Sequence, residues 1–313
     1  MKTSSAVGAT VAVTALYVIT LVWADSRNQV FSQIPLVAAT LPALMALSFL
    51  SYGVRYLRWQ WLLRRAHGPV PWLQGFLAYL AGFAFTATPG KVGELVRIRY
   101  FQPLGVPASR VLAAFVFERA FDLVAIVLLS GLAIHDARLF WLLLAFVFTL
   151  LGAVCLVAFY PRCLGRIAAV LRHQNHPRMA RMARTLKTGL AGCRIWLTPT
   201  DMAMSLLLGL VAWGLTALAF VVLLHQLGIT LPLPTAAAIY PTAMLAGAAS
   251  MLPAGIGTTE VTIVALLALH QIPVGVATLA AVGIRAASLW FAVLCGFTAL
   301  GVLERYQHQA RRR

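Results

Sequence analysis

Thr88-Pro89-Gly90-Lys91-Val92-Gly93-Glu94 and Leu252-Pro253-Ala254-Gly255-Ile256-Gly257-Thr258-Thr259-Glu260 are the stretches that decide how this chain folds. Each breaks an apolar run with proline and glycine, and each ends on a glutamate. They lie 164 residues apart at the proline and 166 at the glutamate. Proline removes a helical hydrogen bond and glycine loosens the backbone, so a helix stops at each point. In an apolar chain, helices broken at matching points of two halves mark a binding site near the bilayer midplane.

The rest of the chain is membrane-like. It is 61% hydrophobic and 11% charged, with a mean hydropathy of +0.86. A soluble domain of 313 residues does not have that balance, whereas a polytopic helical membrane protein does. Uncharged or nearly uncharged runs at 3–24, 36–57, 111–133, 139–160, 202–224 and 274–303 are each long enough to span. No small-residue cleavage site follows the first, so it reads as a span rather than a signal peptide. The formal charge of +17 falls in basic segments between apolar runs. It therefore reads as membrane orientation, and no nucleic-acid partner is expected. Cys155, Cys163, Cys193 and Cys295 form no CxxC, so neither a disulfide framework nor a metal site is expected.

Two regions do not fit a single span. Residues 72–88 are apolar, break at Pro89-Gly90, and continue as a mixed segment to 102. Residues 234–252 are apolar, break at Pro253-Ala254-Gly255, and resume as a short apolar piece at 261–270. Half-length helices on either side of a break predict re-entrant hairpins. The basic residues test this. Arg55, Arg58, Arg64 and Arg65 make one rich group, and Lys91, Arg97, Arg99 and Arg110 another. Eight more lie in 162–194 and four in 305–313, while the remaining loops hold almost none. With both regions re-entrant, every rich group falls on one side. The positive-inside rule then makes both termini cytoplasmic.

The expected architecture is all-α, with six transmembrane helices and two re-entrant hairpins in an inverted repeat, forming one membrane domain over 1–313. The first span and outer loop occupy 1–35. Repeat 1 covers 36–134 with its hairpin at 72–103. A span and basic cytoplasmic linker follow at 139–200. Repeat 2 covers 202–303 with its hairpin at 234–270, and 304–313 is a basic cytoplasmic tail. Residue echoes keep the same order: Tyr79 with Tyr240, Pro89 with Pro253, Glu94 with Glu260, and Arg119 with Arg285.

Ionisable groups within spans are costly, which makes them functional candidates. They are Lys91, Glu94, Arg97, Glu118, Arg119, Asp122, Glu260 and Arg285. The hairpin tips add Pro89, Gly90, Gly93, Pro253, Gly255, Gly257, Thr258 and Thr259. Two half-helix N-termini facing each other, with Lys91, Arg119 and Arg285 nearby, would attract an anion. Alternatives stay open. Glu118 and Asp122 also suit structural ion pairs with Arg119 and Arg285. Glu94 and Glu260 suit N-terminal caps as well as titrating groups that balance a bound anion. Arg55-Tyr56-Leu57-Arg58-Trp59 reads as a headgroup anchor, and Trp59, Trp61 and Trp72 as an interfacial belt. His225 and His270 read as interfacial. No nucleotide, zinc-protease or nucleophile-elbow motif is present, so no catalytic residue and no cofactor is expected.

These residues carry a family resemblance. Arg55–Trp59 with Leu62-Leu63, Gly82-Phe83, the Thr88–Glu94 motif with Arg97, Glu118-Arg119 with Asp122, and the Leu252–Glu260 motif resemble the lysylphosphatidylglycerol synthase transmembrane-region, or flippase-like domain, family. The resemblance covers nearly the whole chain. It implies a lipid flippase of the cytoplasmic (inner) membrane, moving a lipid expected to be anionic and phosphate-bearing. Aminoacyl transfer belongs to a soluble domain that is expected to be lacking, since the sequence ends ten residues after its last span. Membrane lipids are the expected partners. The alternative is a non-transporting membrane partner of an enzyme of lipid, hopanoid, isoprenoid or glycolipid biosynthesis. An intramembrane enzyme using Glu94, Glu118 and Glu260 is less favoured, because no nucleophile or metal set accompanies them. Oligomeric state is left open, although Ala246-Gly247-Ala248-Ala249 permits close helix packing.

Overall fold

The computed structural model describes residues 34–133 and 177–312, with isolated positions between them. The expected spans at 3–24 and 139–160 lie wholly or mostly outside the described residues. Every described element is helical. Three helical stretches are long and apolar enough to cross a membrane: Val37–Ala66, Pro199–Gln226 and Val274–Gln307. A fourth long helix, Ala108–Ser130, carries Arg110, Glu118, Arg119 and Asp122 and is buried over most of its length.

In chain order, helix α1 is Ile34–Ala66 and α2 is Trp72–Ala81. A 3-10 segment, Gly82–Phe85, leads to the first break. Beyond it lie a second 3-10 segment, Pro89–Val96, and the short α3, Arg97–Phe101. Then come α4 (Ala108–Ser130), α5 (Pro177–Gly192) and α6 (Pro199–Gln226). Helix α7 (Leu233–Ala249) reaches the second break, Pro253–Gly255, and α8 (Thr258–Ala268) leaves it. The last stretch is α9 (Val274–Arg285), a π-helical turn at Ala286–Trp290, and α10 (Phe291–Arg312).

Helices α1 and α6 pack side by side and antiparallel. Ser51 donates to the Ala212 carbonyl, Arg58 lies by the Ser205 carbonyl, and Trp61 donates to Asp201. The first hairpin turns back on itself. Gln60 of α1 bonds the Val70 carbonyl just before α2, and the Trp59 ring lies 5.7 Å from Phe101 at the end of α3. Both ends of the hairpin therefore meet the same level of α1. The packing is also reciprocal: α2 packs on α10, the last helix, while α7 packs on α4. Each hairpin thus rests on a helix of the other half. Two apolar clusters result. One gathers Trp59, Tyr79, Phe101 and Phe117 around the first hairpin; the other gathers Phe220, Tyr240, Ile263 and Ile284 around the second.

Several expectations change. Arg55 and Arg58 lie inside α1, which extends nine residues past the expected end at 57. Both are buried, so they are not a headgroup anchor and leave the basic loop count at this point to Arg64 and Arg65. Trp59 is fully buried and is not interfacial, while Trp72 is half exposed. Helix α5, read as part of a surface linker, docks its C-terminal end on α4: a Cβ on Gly192 would lie 2.6 Å from the Ala113 Cβ.

Candidate functional site

The site is built around one turn of α4. Glu118, Arg119 and Asp122 project from it, and partners converge from three other elements. Asp122 accepts from Arg58 at 2.7 Å and Arg55 at 3.1 Å and forms an ion pair with Arg119 at 3.0 Å. Glu118 accepts from Arg58 at 3.1 Å, from Arg97 at 3.4 Å and from the Tyr79 hydroxyl, and forms an ion pair with Arg119 at 3.3 Å. Arg119–Asp122 is the pairing expected from the sequence. The pairing of Glu118 with Arg285 is not formed: Arg285 faces the second hairpin instead.

The first tip is fastened by side chains. Thr88 Oγ1 accepts from the Gly93 N–H at 2.7 Å and donates to the Phe85 carbonyl at 2.9 Å. This closes the tip, and Gly93 is required there, because a Cβ would lie 2.5 Å from the Phe85 oxygen. Glu94 accepts from Thr86 and from Arg97, both at 2.9 Å. It makes no capping bond to the backbone, so the capping role expected for it is not seen. The Arg97 guanidinium lies over the rings of Tyr79 and Trp59 at 4.4 and 4.9 Å, a stacked cation in an aromatic cage.

The second tip is fastened through its backbone. Glu260 accepts from the Gly257 N–H at 2.8 Å, the N-terminal cap expected of it. Its other oxygen accepts from Arg285 Nε at 2.8 Å, and Arg285 Nη2 donates to the Ala254 carbonyl at 2.9 Å. Lys91 at one tip and Ala254 at the other are both left-handed, with φ of 55° and 53°. Such strain in non-glycine residues gathers at functional sites.

Two cavities meet at these tips, and Lys91, Arg119, Trp213, Met244 and Ala254 line both. The smaller, about 80 Å³, takes in the charged Arg55, Glu94 and Arg285 beside the apolar Phe83, Leu289 and Ala292. The larger, about 230 Å³, is mainly apolar, with Leu123, Ile126, Met251 and Leu252 on its walls and Thr88 and Asp122 at its polar end. The π-helical turn closes the smaller one. Tyr52 donates to the Ser288 carbonyl at 2.7 Å, and the Tyr240 and Ser288 hydroxyls lie 2.9 Å apart. Single π turns of this kind often accompany functional sites.

The sequence-predicted residues divide in two. Lys91, Glu94, Arg119, Asp122, Arg285, Gly255 and Thr259 line one or both cavities. Arg97, Glu118 and Glu260 stand behind the walls and hold those residues in place. Gly93, Pro253, Gly257 and Thr258 shape the tips, and the side-chain surroundings of Pro89 and Gly90 lie outside the described residues. Arg119 is paired with Glu118 and Asp122, and Arg285 with Glu260. Arg55, Arg58 and Trp213 were missed. Arg55 and Arg58 were legible in principle: Glu118 and Asp122 are two acids beside one arginine, so more cations had to come from elsewhere.

The cluster as described holds six basic side chains, Arg55, Arg58, Lys91, Arg97, Arg119 and Arg285, against four carboxylates, Glu94, Glu118, Asp122 and Glu260. Among the described residues, no carboxylate lies within ion-pair distance of the Lys91 ammonium. Buried polar atoms without a hydrogen-bond partner include Arg119 Nε, Trp213 Nε1 and Thr259 Oγ1, all on residues lining the cavities. These are atoms able to donate, so the arrangement suits a ligand rich in acceptor oxygens.

Long apolar helices folded around a buried ionic cluster define a membrane protein. The sequence model of the family described as the lysylphosphatidylglycerol synthase TM region matches residues 6–296. The chain belongs to that family and is a lipid-related membrane protein. No curated protein and no solved structure matches it.

Proposed function

We propose that this protein moves an anionic phospholipid between the leaflets of the cytoplasmic membrane, without making or breaking covalent bonds in it. The observation that carries this reading is Lys91, an ammonium without an ion-pair partner among the described residues, set beside Arg119 where a cavity holding Arg55 and Arg285 meets a larger one walled by Leu123, Ile126 and Leu252. A phosphate takes the place next to Lys91 and Arg119. The headgroup extends into the smaller cavity, and the glycerol and upper acyl chains lie toward the larger. Both hairpins are re-entrant, and the halves form an inverted repeat. The antiparallel α1 and α6 and the reciprocal rest of each hairpin on the other half support that topology. Both termini are cytoplasmic, in keeping with Arg65, Arg99 and Arg194 near one end of the bundle.

The test is lipid movement in reconstituted vesicles, with acyl-labelled phosphatidylglycerol and a membrane-impermeant quencher. The wild type accelerates exchange, and Lys91→Gln and Arg119→Gln each slow it about tenfold or more, with the melting temperature near wild type in Lys91→Gln and lowered in Arg119→Gln, which takes a cation from Glu118 and Asp122. Unchanged exchange in both well-folded variants would reduce the cluster to a structural one. Thiol labelling tests topology: cysteines at Gly68 and Gln102 react from the cytoplasmic face, and at Gly228 and Gln271 from the outer face.

A further inference from the structure

The charges that line the cavities say more than that the ligand is anionic. The family is described by a lipid whose headgroup carries a lysyl ester. Such a headgroup has two ammonium groups beside its phosphate and is net cationic. Four basic side chains, Arg55, Lys91, Arg119 and Arg285, line the smaller cavity against a single carboxylate, Glu94. Neither oxygen of Glu94 is free, since Thr86 bonds one and Arg97 the other. Asp122, the carboxylate of the larger cavity, is equally engaged: Arg58 holds one oxygen, and Arg55 and Arg119 hold the other. An incoming ammonium therefore meets Lys91 unpaired among the described residues, while each carboxylate that lines a cavity already holds at least one arginine.

Size acts in the same direction. A cavity of about 80 Å³ has room on the order of six waters, comparable to a glycerol headgroup. A lysyl ester adds a further chain of methylenes ending in an ammonium. The orphaned indole N–H of Trp213, on a residue more than nine-tenths buried, can donate but cannot accept from an ammonium. It fits phosphate or hydroxyl oxygens.

We infer that this site is built to take an unmodified anionic phospholipid with a small headgroup and to reject its aminoacylated, cationic derivative. The inference rests on reading the cavities as a headgroup site. Rejection is by like charge, one of the repulsive devices by which a binding site discriminates between ligands. Lys91 is the specificity-determining residue, because it is the lining cation without a carboxylate partner among the described residues.

The test separates binding from movement. Native mass spectrometry of the full chain in detergent, with equimolar phosphatidylglycerol and lysyl-phosphatidylglycerol, reads which lipid is retained. Phosphatidylglycerol is expected in excess by about tenfold, and Lys91→Glu brings the two close to equal. Equal or preferential retention of the lysyl lipid by the wild type overturns the inference. The same two lipids are then followed in vesicles. If phosphatidylglycerol is preferentially bound and neither lipid is moved, translocation fails and the charge selection stands. If both lipids are moved and bound alike, translocation stands and the selection fails.

Discussion

Glu94 is 1% exposed and gives both oxygens to side chains, Thr86 and Arg97. Glu260 has a side chain that is 15% exposed and uses one oxygen on the Gly257 N–H and the other on Arg285. Both glutamates close a Pro/Gly break, yet the first belongs to a buried ionic web and the second is a helix cap with one cation attached. The surroundings differ in the same way: Arg97 behind the first tip lies over Trp59, Tyr79 and Phe83, whereas Arg285 behind the second meets no ring among the described residues. Each tip still carries an exposed apolar side chain, Val92 at 56% on the first and Met251 at 71% on the second. The comparison teaches that one sequence motif can build a densely paired ionic web in one half and a simpler helix cap in the other. Neighbours decide which. Arg97 is held by two carboxylates and two aromatic rings within 5 Å, whereas Arg285 has one carboxylate and a carbonyl.

The sharpest way to break this comparison is to remove the two clamping arginines. Arg97→Met leaves Glu94 and Glu118 short of a partner deep in the protein, and breaking a buried pair in this way costs about 3–5 kcal/mol. Arg285→Met should lower the melting temperature clearly less, because Glu260 keeps its backbone bond and some solvent. Equal losses in thermal unfolding would erase the difference between the tips.

Next in size is the seat of the first hairpin on α10. A Cβ on Gly296 would lie 2.1 Å from the Ala84 backbone nitrogen. Gly296→Ala must push the hairpin away, at about 1–3 kcal/mol, the usual range for overpacking. Lipid exchange should fall with it, since Glu94 and Lys91 move with that wall. Unaltered stability and exchange would show that the first tip is not rigid.

The smallest effects concern the strained residues. Ala254→Gly relieves a left-handed alanine, a strain of roughly 1–2 kcal/mol, and loses part of that gain to glycine's greater freedom when unfolded. A small rise in melting temperature, with lipid exchange maintained, is expected. Lys91→Gly should give a similar small rise, yet lose lipid exchange. A stabilised but inactive Lys91→Gly, beside a stabilised and active Ala254→Gly, would assign function to the lysine's charge rather than to tip geometry. Loss of exchange in both would assign it to the strain.

The sequence by itself determined that this is a helical membrane protein broken at two matching points. Those properties are local: proline and glycine interrupt a helix wherever they stand, and apolar length is read directly along the chain. It also picked out Lys91, Glu94, Arg119, Asp122 and Arg285, because an ionisable group within an apolar run needs no neighbour to be conspicuous. Tertiary structure alone decided the partners. Arg55 and Arg58 looked like interfacial anchors because they end an apolar run, and their burial depends on Asp122 and Glu118, sixty or more residues away, facing them across the bundle. Trp213 gave no signal, since an aromatic residue in a span is ordinary until its N–H is left without a partner beside a cavity. The unlike fates of Glu94 and Glu260 were equally hidden. A carboxylate caps a helix or joins an ion pair according to which donor comes within reach, and folding alone sets that distance.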